Sequence, residues 1–155
     1  MIRVQAQDFD IGAEITSLRE GNTGAGAIVA FAGTVREQAK NGKLTAMTLE
    51  HYPGMTEQEL ARIEAEAHAR WPLLASLIVH RVGRLLPGDN IVLAVTLSAH
   101  RQAAFEAAQF LMDYLKTSAP FWKIEETEEG RHWVEARESD AAGAARWGNA
   151  GFPAK

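Results

Sequence analysis

Hydrophobic positions change period within the first twenty residues of the chain. Ile2 and Val4 alternate with polar neighbours, as in a short half-buried strand. Ile11, Ile15 and Leu18 recur at helical spacing, with Asp10 placed to cap that helix and Gly21 to end it. The run GAGAIVAFAGTVR (24–36) is small and apolar throughout, which predicts a strand in the centre of a sheet. The polar stretch EQAKNGK (37–43) follows, and its Asn41-Gly42 pair is a strong turn signal. LTAMTLEHY (44–52) alternates well enough to pair back on 24–36 as a hairpin, until Pro53-Gly54 breaks it.

MTEQELARIEAEAHARW predicts a helix. Thr56 and Glu59 have capping-box spacing, Met55 and Leu60 the spacing of a hydrophobic staple, and Leu60, Ile63, Ala67 and Trp71 form one inward stripe before Pro72. LASLIVHRVG (74–83) and NIVLAVTLS (90–98) are further strands, joined through a turn at Pro87-Gly88-Asp89; apolar residues throughout 91–95 suit a sheet interior. A long helix over about 99–116 turns Ala104, Ala108, Leu111 and Leu115 inward. A hairpin about 127–130, a short helix capped at Ser139 and a loose end complete the pattern. These elements predict an α/β (α+β) domain of two layers, folded as one unit over 1–147, with 148–155 as a flexible tail.

A chain of 155 residues can bury a real core in one domain. Its 20 acidic and 16 basic side chains give a net charge of −4, which argues against general affinity for nucleic acid or anionic membranes but leaves room for one basic pocket. Cysteine is absent. Disulfides, a thiolate nucleophile and a cluster held by this chain are thereby excluded, and any sulfur chemistry needs sulfur brought by a partner. The N-terminal residues lack the apolar run of a signal peptide and no 18-residue apolar segment occurs, so a cytoplasmic protein is expected. The five histidines lack zinc-ligand spacing, and no P-loop or dinucleotide fingerprint is present. No metal and no cofactor is expected.

Candidate chemistry therefore rests on cations. His100 and Arg101 fall in the first turn of the long helix, where the dipole disfavours them unless an anion binds the free N–H groups. Lys116 lies sixteen positions further on, so the two ends stand about 24 Å apart along a straight helix. One small-molecule site touches both only if two subunits share it, as a two-fold dimer allows. Lys116 and Lys123 flank TSAPFW, whose proline redirects the chain, and two amines converging there would ease each other's deprotonation. The plainer alternative is a cation closing a helix and a lysine on a strand surface. Arg36, at a strand end, has the fork to clamp a phosphate, or is simply solvated. Arg137 ends the last strand, with Glu135 and Asp140 as ready ion-pair partners. His80 reads as a strand residue with a satisfied partner, and Trp71, Trp122, Trp133 and Trp147 as core or interface anchors.

LEHYPGMTE, HRVGRLLPGD, SAHRQAAFEAAQFLMDYLKTSAPFWK and WVEARESD resemble the large, catalytic subunit of molybdopterin synthase, and the resemblance covers about residues 24–147. It implies an α/β hammerhead fold with an added antiparallel subdomain. It also implies a heterotetramer, in which a central homodimer carries a small ubiquitin-like sulfur-carrier subunit at each end. The carrier's C-terminal Gly-Gly thiocarboxylate delivers two sulfurs in succession to cyclic pyranopterin monophosphate. The family's catalytic lysines match Lys116 and Lys123. Its substrate contacts match Thr34, Val35, Arg36, His100, Arg101, Lys116, Lys123, Ile124, Glu125 and Arg137. The loop 37–43 and the residues after Trp147 depart from the family pattern. Two other readings of the same cations are an adaptor that only holds a ubiquitin-like tail, and a phosphate-ester hydrolase or acyltransferase.

Overall fold

Strands β1 (Ile2–Gln5), β2 (Ala27–Thr34), β5 (Leu73–Arg81) and β7 (Asn90–Ser98) form one sheet in the order β1-β5-β7-β2. β1 and β5 run parallel; the other pairs are antiparallel. The structure is a computed structural model and describes residues 1–134 and 138–148. Alternation along β5 and β7 divides the core. Ile78, Val92 and Ala94 meet α2 (Met55–Arg70) and α3 (Arg101–Thr117) on one face, while Leu77, Val79, Leu93, Val95 and Leu97 meet Phe9 and α1 (Ile11–Arg19) on the other. The mixed α/β class is as expected. Helices cover both faces of this sheet, giving three layers there in place of the two predicted, because both faces of β5 and β7 are apolar.

The second sheet runs β3 (Gln38–Ala39), β4 (Gly42–His51), β8 (Phe121–Thr127) and β9 (Gly130–Val134), and the three-residue β6 (Gly83–Leu85) pairs with β4 from its other side. The 127–130 hairpin forms as read, with Thr127 paired to Gly130. Two expectations change. β2 lies at the edge of the first sheet, not its centre, and it pairs with β7 instead of folding back on β4. A turn does form beside Asn41-Gly42, but its two central residues are Lys40 and Asn41, with Gly42 (φ 112°) already opening β4 opposite Ala39, and it closes only the short β3–β4 ladder. An apolar run is equally consistent with a second neighbouring strand and with an edge that something else covers, so its composition could not assign its place.

The helices follow their patterns closely. The Asp10 carboxylate accepts from the Ala13 N–H at 2.8 Å, capping α1. Leu60, Ile63 and Ala67 are fully buried along α2, and α3 buries Ala104, Ala108, Leu111 and Leu115. The start of α2 is a correction. Gly54, at φ 87°, precedes the helix, and its N–H donates to the Glu57 carboxylate at 2.6 Å. The Thr56 hydroxyl instead donates to the Tyr52 carbonyl at 2.8 Å, and Glu59 pairs with Arg62. A positive φ needs glycine, and it moves the cap two residues upstream of the serine/threonine signal.

α4 (Glu138–Ala145) packs on α3. Trp147 closes this corner: its indole N–H donates to Asp113 at 2.6 Å, its carbonyl accepts from Arg70 at 2.9 Å, and its ring meets Trp71 and Phe110 edge-on. Of the expected tail 148–155, all but Gly148 lies outside the described residues. No helix among the described residues is long and apolar enough to cross a membrane.

Candidate active site

The C-terminal end of α3, the end of β5 and the facing ends of β4 and β8 meet at the seam between the two sheets. Lys116 sits in the last turn of α3 and is exposed. Its position opposes the negative end of the helix dipole, as any C-terminal cation would. The chain then turns through Ala119-Pro120 into β8, where the Phe121 N–H donates to the Ala119 carbonyl at 2.9 Å. Alternation puts Phe121, Lys123 and Glu125 on one face of β8. Their partners directly across the ladder are His51, Leu49 and Met47 on β4, with Val134 and His132 beyond Lys123 and Glu125 on β9. Directly opposed residues share a face. Lys123 therefore stands half-buried over a floor of Leu49 and Met47.

That floor brings in the strand-end residues. Val35 is 4% exposed and packs in one cluster with Met47, Leu49 and Leu85. Its N–H donates to the Asp89 carbonyl at 2.9 Å, and its own carbonyl accepts from Gly88 at 2.8 Å, so the 86–89 turn clamps it. Thr34 and Arg36 flank it and are both exposed. The segments 34–36 and 123–125 thus both border the apolar cluster that contains Met47 and Leu49. The Ile124 side chain is buried, on the face opposite Lys123 and Glu125. Arg137 lies outside the described residues.

At the seam, the imidazole of His80 stacks on Phe121, with ring centroids 3.8 Å apart and planes 15° from parallel. His80 is buried, and its Nδ1–H donates to the Arg81 carbonyl at 2.8 Å. Burial pushes its pKa down from the ordinary 6.5 to about 4, and the positive charges of Lys116, Lys123 and His51 push the same way, against the hydrogen bond to Arg81. Both lysines thus act on one buried ring. His51 also meets Phe121, at 6.2 Å between centroids, and its Nδ1–H donates to the Thr56 hydroxyl at 3.2 Å. The sequence marked His80 only as a satisfied strand residue and did not mark His51 or Phe121. Their one signal is that HRVG and LEHY each place a histidine at the end of an apolar strand.

His80 also sets a pH limit on stability. Its native pKa lies below its unfolded value, so between pH 6.5 and 4 the unfolded chain binds the extra proton. The stabilisation is complete above 6.5, declines as pH falls and is exhausted below about 4, a loss of about 3 kcal/mol in all. Urea unfolding of the wild type and of His80→Gln at several pH values should give curves that converge on acidification; parallel curves would contradict this.

His100 and Arg101 are not brought to the lysines within one chain. His100 precedes α3 with extended backbone and no side-chain cap bond, Arg101 begins the helix, and both are exposed. The helix between them and Lys116 is continuous, so the separation of about 24 Å holds. Gly26 fixes this end: its N–H donates to the Ser98 carbonyl at 3.0 Å, and a side chain there would collide with the Ala99 carbonyl oxygen.

A seam that gathers amines over an apolar floor, in a molecule of net negative charge, belongs to an α/β enzyme subunit handling an anionic small molecule. The comparisons with known proteins name the family. The family model described as MoaE protein matches residues 4–118. A molybdopterin synthase catalytic subunit of Pseudomonas aeruginosa is 57% identical over 146 residues, 94% of this chain and 97% of the relative. The solved structure of a molybdopterin biosynthesis MoaE protein from Burkholderia ambifaria has a TM-score of 0.82 at 54% identity, covering 95% of this chain and 97% of that one. A complex of subunits 1 and 2 of molybdopterin-converting factor from Helicobacter pylori shares the fold, with a TM-score of 0.73 at 20% identity over 88% of this chain and 91% of that one. The chain belongs to the MoaE family, the molybdopterin synthase catalytic subunits.

Proposed function

We propose that this chain, working in the cytoplasm, converts cyclic pyranopterin monophosphate to molybdopterin. The two dithiolene sulfurs would come from the C-terminal thiocarboxylate of a small ubiquitin-like carrier. The observation that carries the reading is the placement of Lys116 in the last turn of α3 and Lys123 on β8, either side of the Pro120 turn, where the His80–Phe121 stack joins the two sheets. Both reactants are anionic, and a cationic pocket in an acidic protein suits both. Lys116, exposed at the helix end, would lie beside the carrier's thiocarboxylate, balancing charge and handling protons as sulfur leaves. Lys123, half-buried over its apolar floor, would hold the pterin and assist proton transfer as oxygen is lost from the accepting carbons. Arg36 would clamp phosphate in a fork that lysine lacks. Thr34 and Glu125 would line the same pterin subsite, with Val35 and Ile124, whose side chains are buried, contributing through their backbones, and Arg137 would close it.

His100 and Arg101 enter this reading through a second copy of the chain. β2 supports a homodimer. It is an eight-residue edge strand without charge or proline, and Ile28 and Phe31 on it are 37% and 43% exposed. Soluble proteins blunt such edges or pair them. Phe105, 61% exposed on α3 near its His100 end, extends the apolar surface. A two-fold axis there would set His100 and Arg101 of one subunit toward the lysines of the other, with a carrier at each outer end of the resulting heterotetramer.

The decisive experiment incubates the purified protein with thiocarboxylated carrier and cyclic pyranopterin monophosphate and detects molybdopterin. Product that depends on the carrier is expected. No product, or turnover without carrier, would overturn the proposal.

A further inference from the structure

We propose that His80 is a positioning residue for the lysine pair: an imidazole of fixed tautomer, seated against Phe121, that sets where Lys123 stands and presents an acceptor nitrogen to the two amines. A peptide carbonyl only accepts, so the contact with Arg81 requires the proton on Nδ1 and leaves the lone pair on Nε2. Stacking fixes Phe121, and Phe121 shares its strand face with Lys123 two residues on. The direction in which the Lys123 stem leaves β8 is thereby tied to the His80 ring.

The groups facing His80 are known from each element packed on it. The charges that act on it are those of Lys116 on α3, Lys123 on β8 and His51 on β4, while Val4 on β1 and Val92 on β7 pair beside it without charge. A phenylalanine at 80 would stack as well, and would avoid the cost of burying a polar ring. The imidazole is useful because, in the neutral form that burial enforces, it places an acceptor where a third positive charge would otherwise repel the amines.

A role in sulfur transfer rests on the function proposed above; the effect on the amines does not. The test uses the full chain with His80→Phe and His80→Gln, and measures two things. One is turnover with thiocarboxylated carrier and cyclic pyranopterin monophosphate. The other is the rate of reductive methylation of Lys116 and Lys123, read by peptide mass spectrometry as a function of pH. With the acceptor gone, the amines lose stabilisation of their protonated form, so in His80→Phe at least one should label about threefold faster near neutral pH. Its kcat should fall about tenfold or more with KM little changed. His80→Gln, which keeps an acceptor, should recover most of both. Wild-type labelling in His80→Phe overturns the proposal, as does His80→Gln impaired as severely as His80→Phe. If His80→Phe does not fold, Phe121→Leu, which removes the stack and leaves the imidazole, must change Lys123 labelling for the proposal to stand. A wild-type protein inert in sulfur transfer would sink the function and leave the labelling comparison decisive.

Discussion

Lys116→Ala is expected to reduce molybdopterin formation by roughly 10²–10⁴-fold while leaving the fold and carrier binding intact. The side chain is exposed in the last turn of α3, so its truncation opens no cavity and costs only about 0.5 kcal/mol or less of stability. The helix end does not depend on it, since the Ser118 N–H already donates to the Tyr114 carbonyl at 2.7 Å. A loss of turnover therefore reports on the chemistry. Lys116→Arg separates charge from proton transfer: guanidinium supplies the charge but does not release a proton near neutral pH. Its recovery should be small if Lys116 moves a proton, and large if it only balances the thiocarboxylate. Single-turnover product formation, with carrier binding followed by calorimetry, makes the measurement. Full turnover by an alanine variant that binds carrier normally would remove Lys116 from the mechanism.

Mixing His100→Ala with Lys116→Ala is expected to restore activity that neither variant has alone. Each site in the proposed dimer draws its lysines from one subunit and His100 from the other, because a continuous helix holds them about 24 Å apart. In a mixed dimer one site inherits both defects and the other inherits none. Random reassortment places half the molecules in mixed dimers, so roughly a quarter of wild-type turnover should return. Complementation of this kind needs no structure of the complex. Activity that stays at the sum of the two variants would mean that each chain builds its site alone.

Much of the arrangement was legible in residue order because its physics is local. Asp10, the α2 stripe and the buried face of α3 all follow from helical periodicity. The placement of Lys116 at a helix end and of Lys123 on the following strand was legible because Pro120 redirects the chain between them. β3 and β6, at two and three residues, are too short to leave a period. The place of β2 depends on what covers its edge, which its own apolar residues do not encode. His51, His80 and Phe121 come from three strands of two sheets and become neighbours only through tertiary pairing. The cap at Gly54 depends on a backbone angle that the more obvious threonine signal obscured.

β6 has a consequence for motion between the two sheets. The chain leaves the first sheet at Arg81, runs Gly83–Leu85 along β4 in the second, and is back in the first at Asn90. The Leu86 N–H donates to the Asp89 carboxylate at 2.8 Å, and the bonds from the Val35 N–H to the Asp89 carbonyl and from the Gly88 N–H to the Val35 carbonyl tighten the same passage. This stitch leaves almost no slack between the walls that carry His80 and Lys123. The sheets cannot swing apart like jaws without tearing ladder bonds on both sides. Relative motion of the two walls is opposed by the β6–β4 ladder and by the bonds between Val35 and the 88–89 turn.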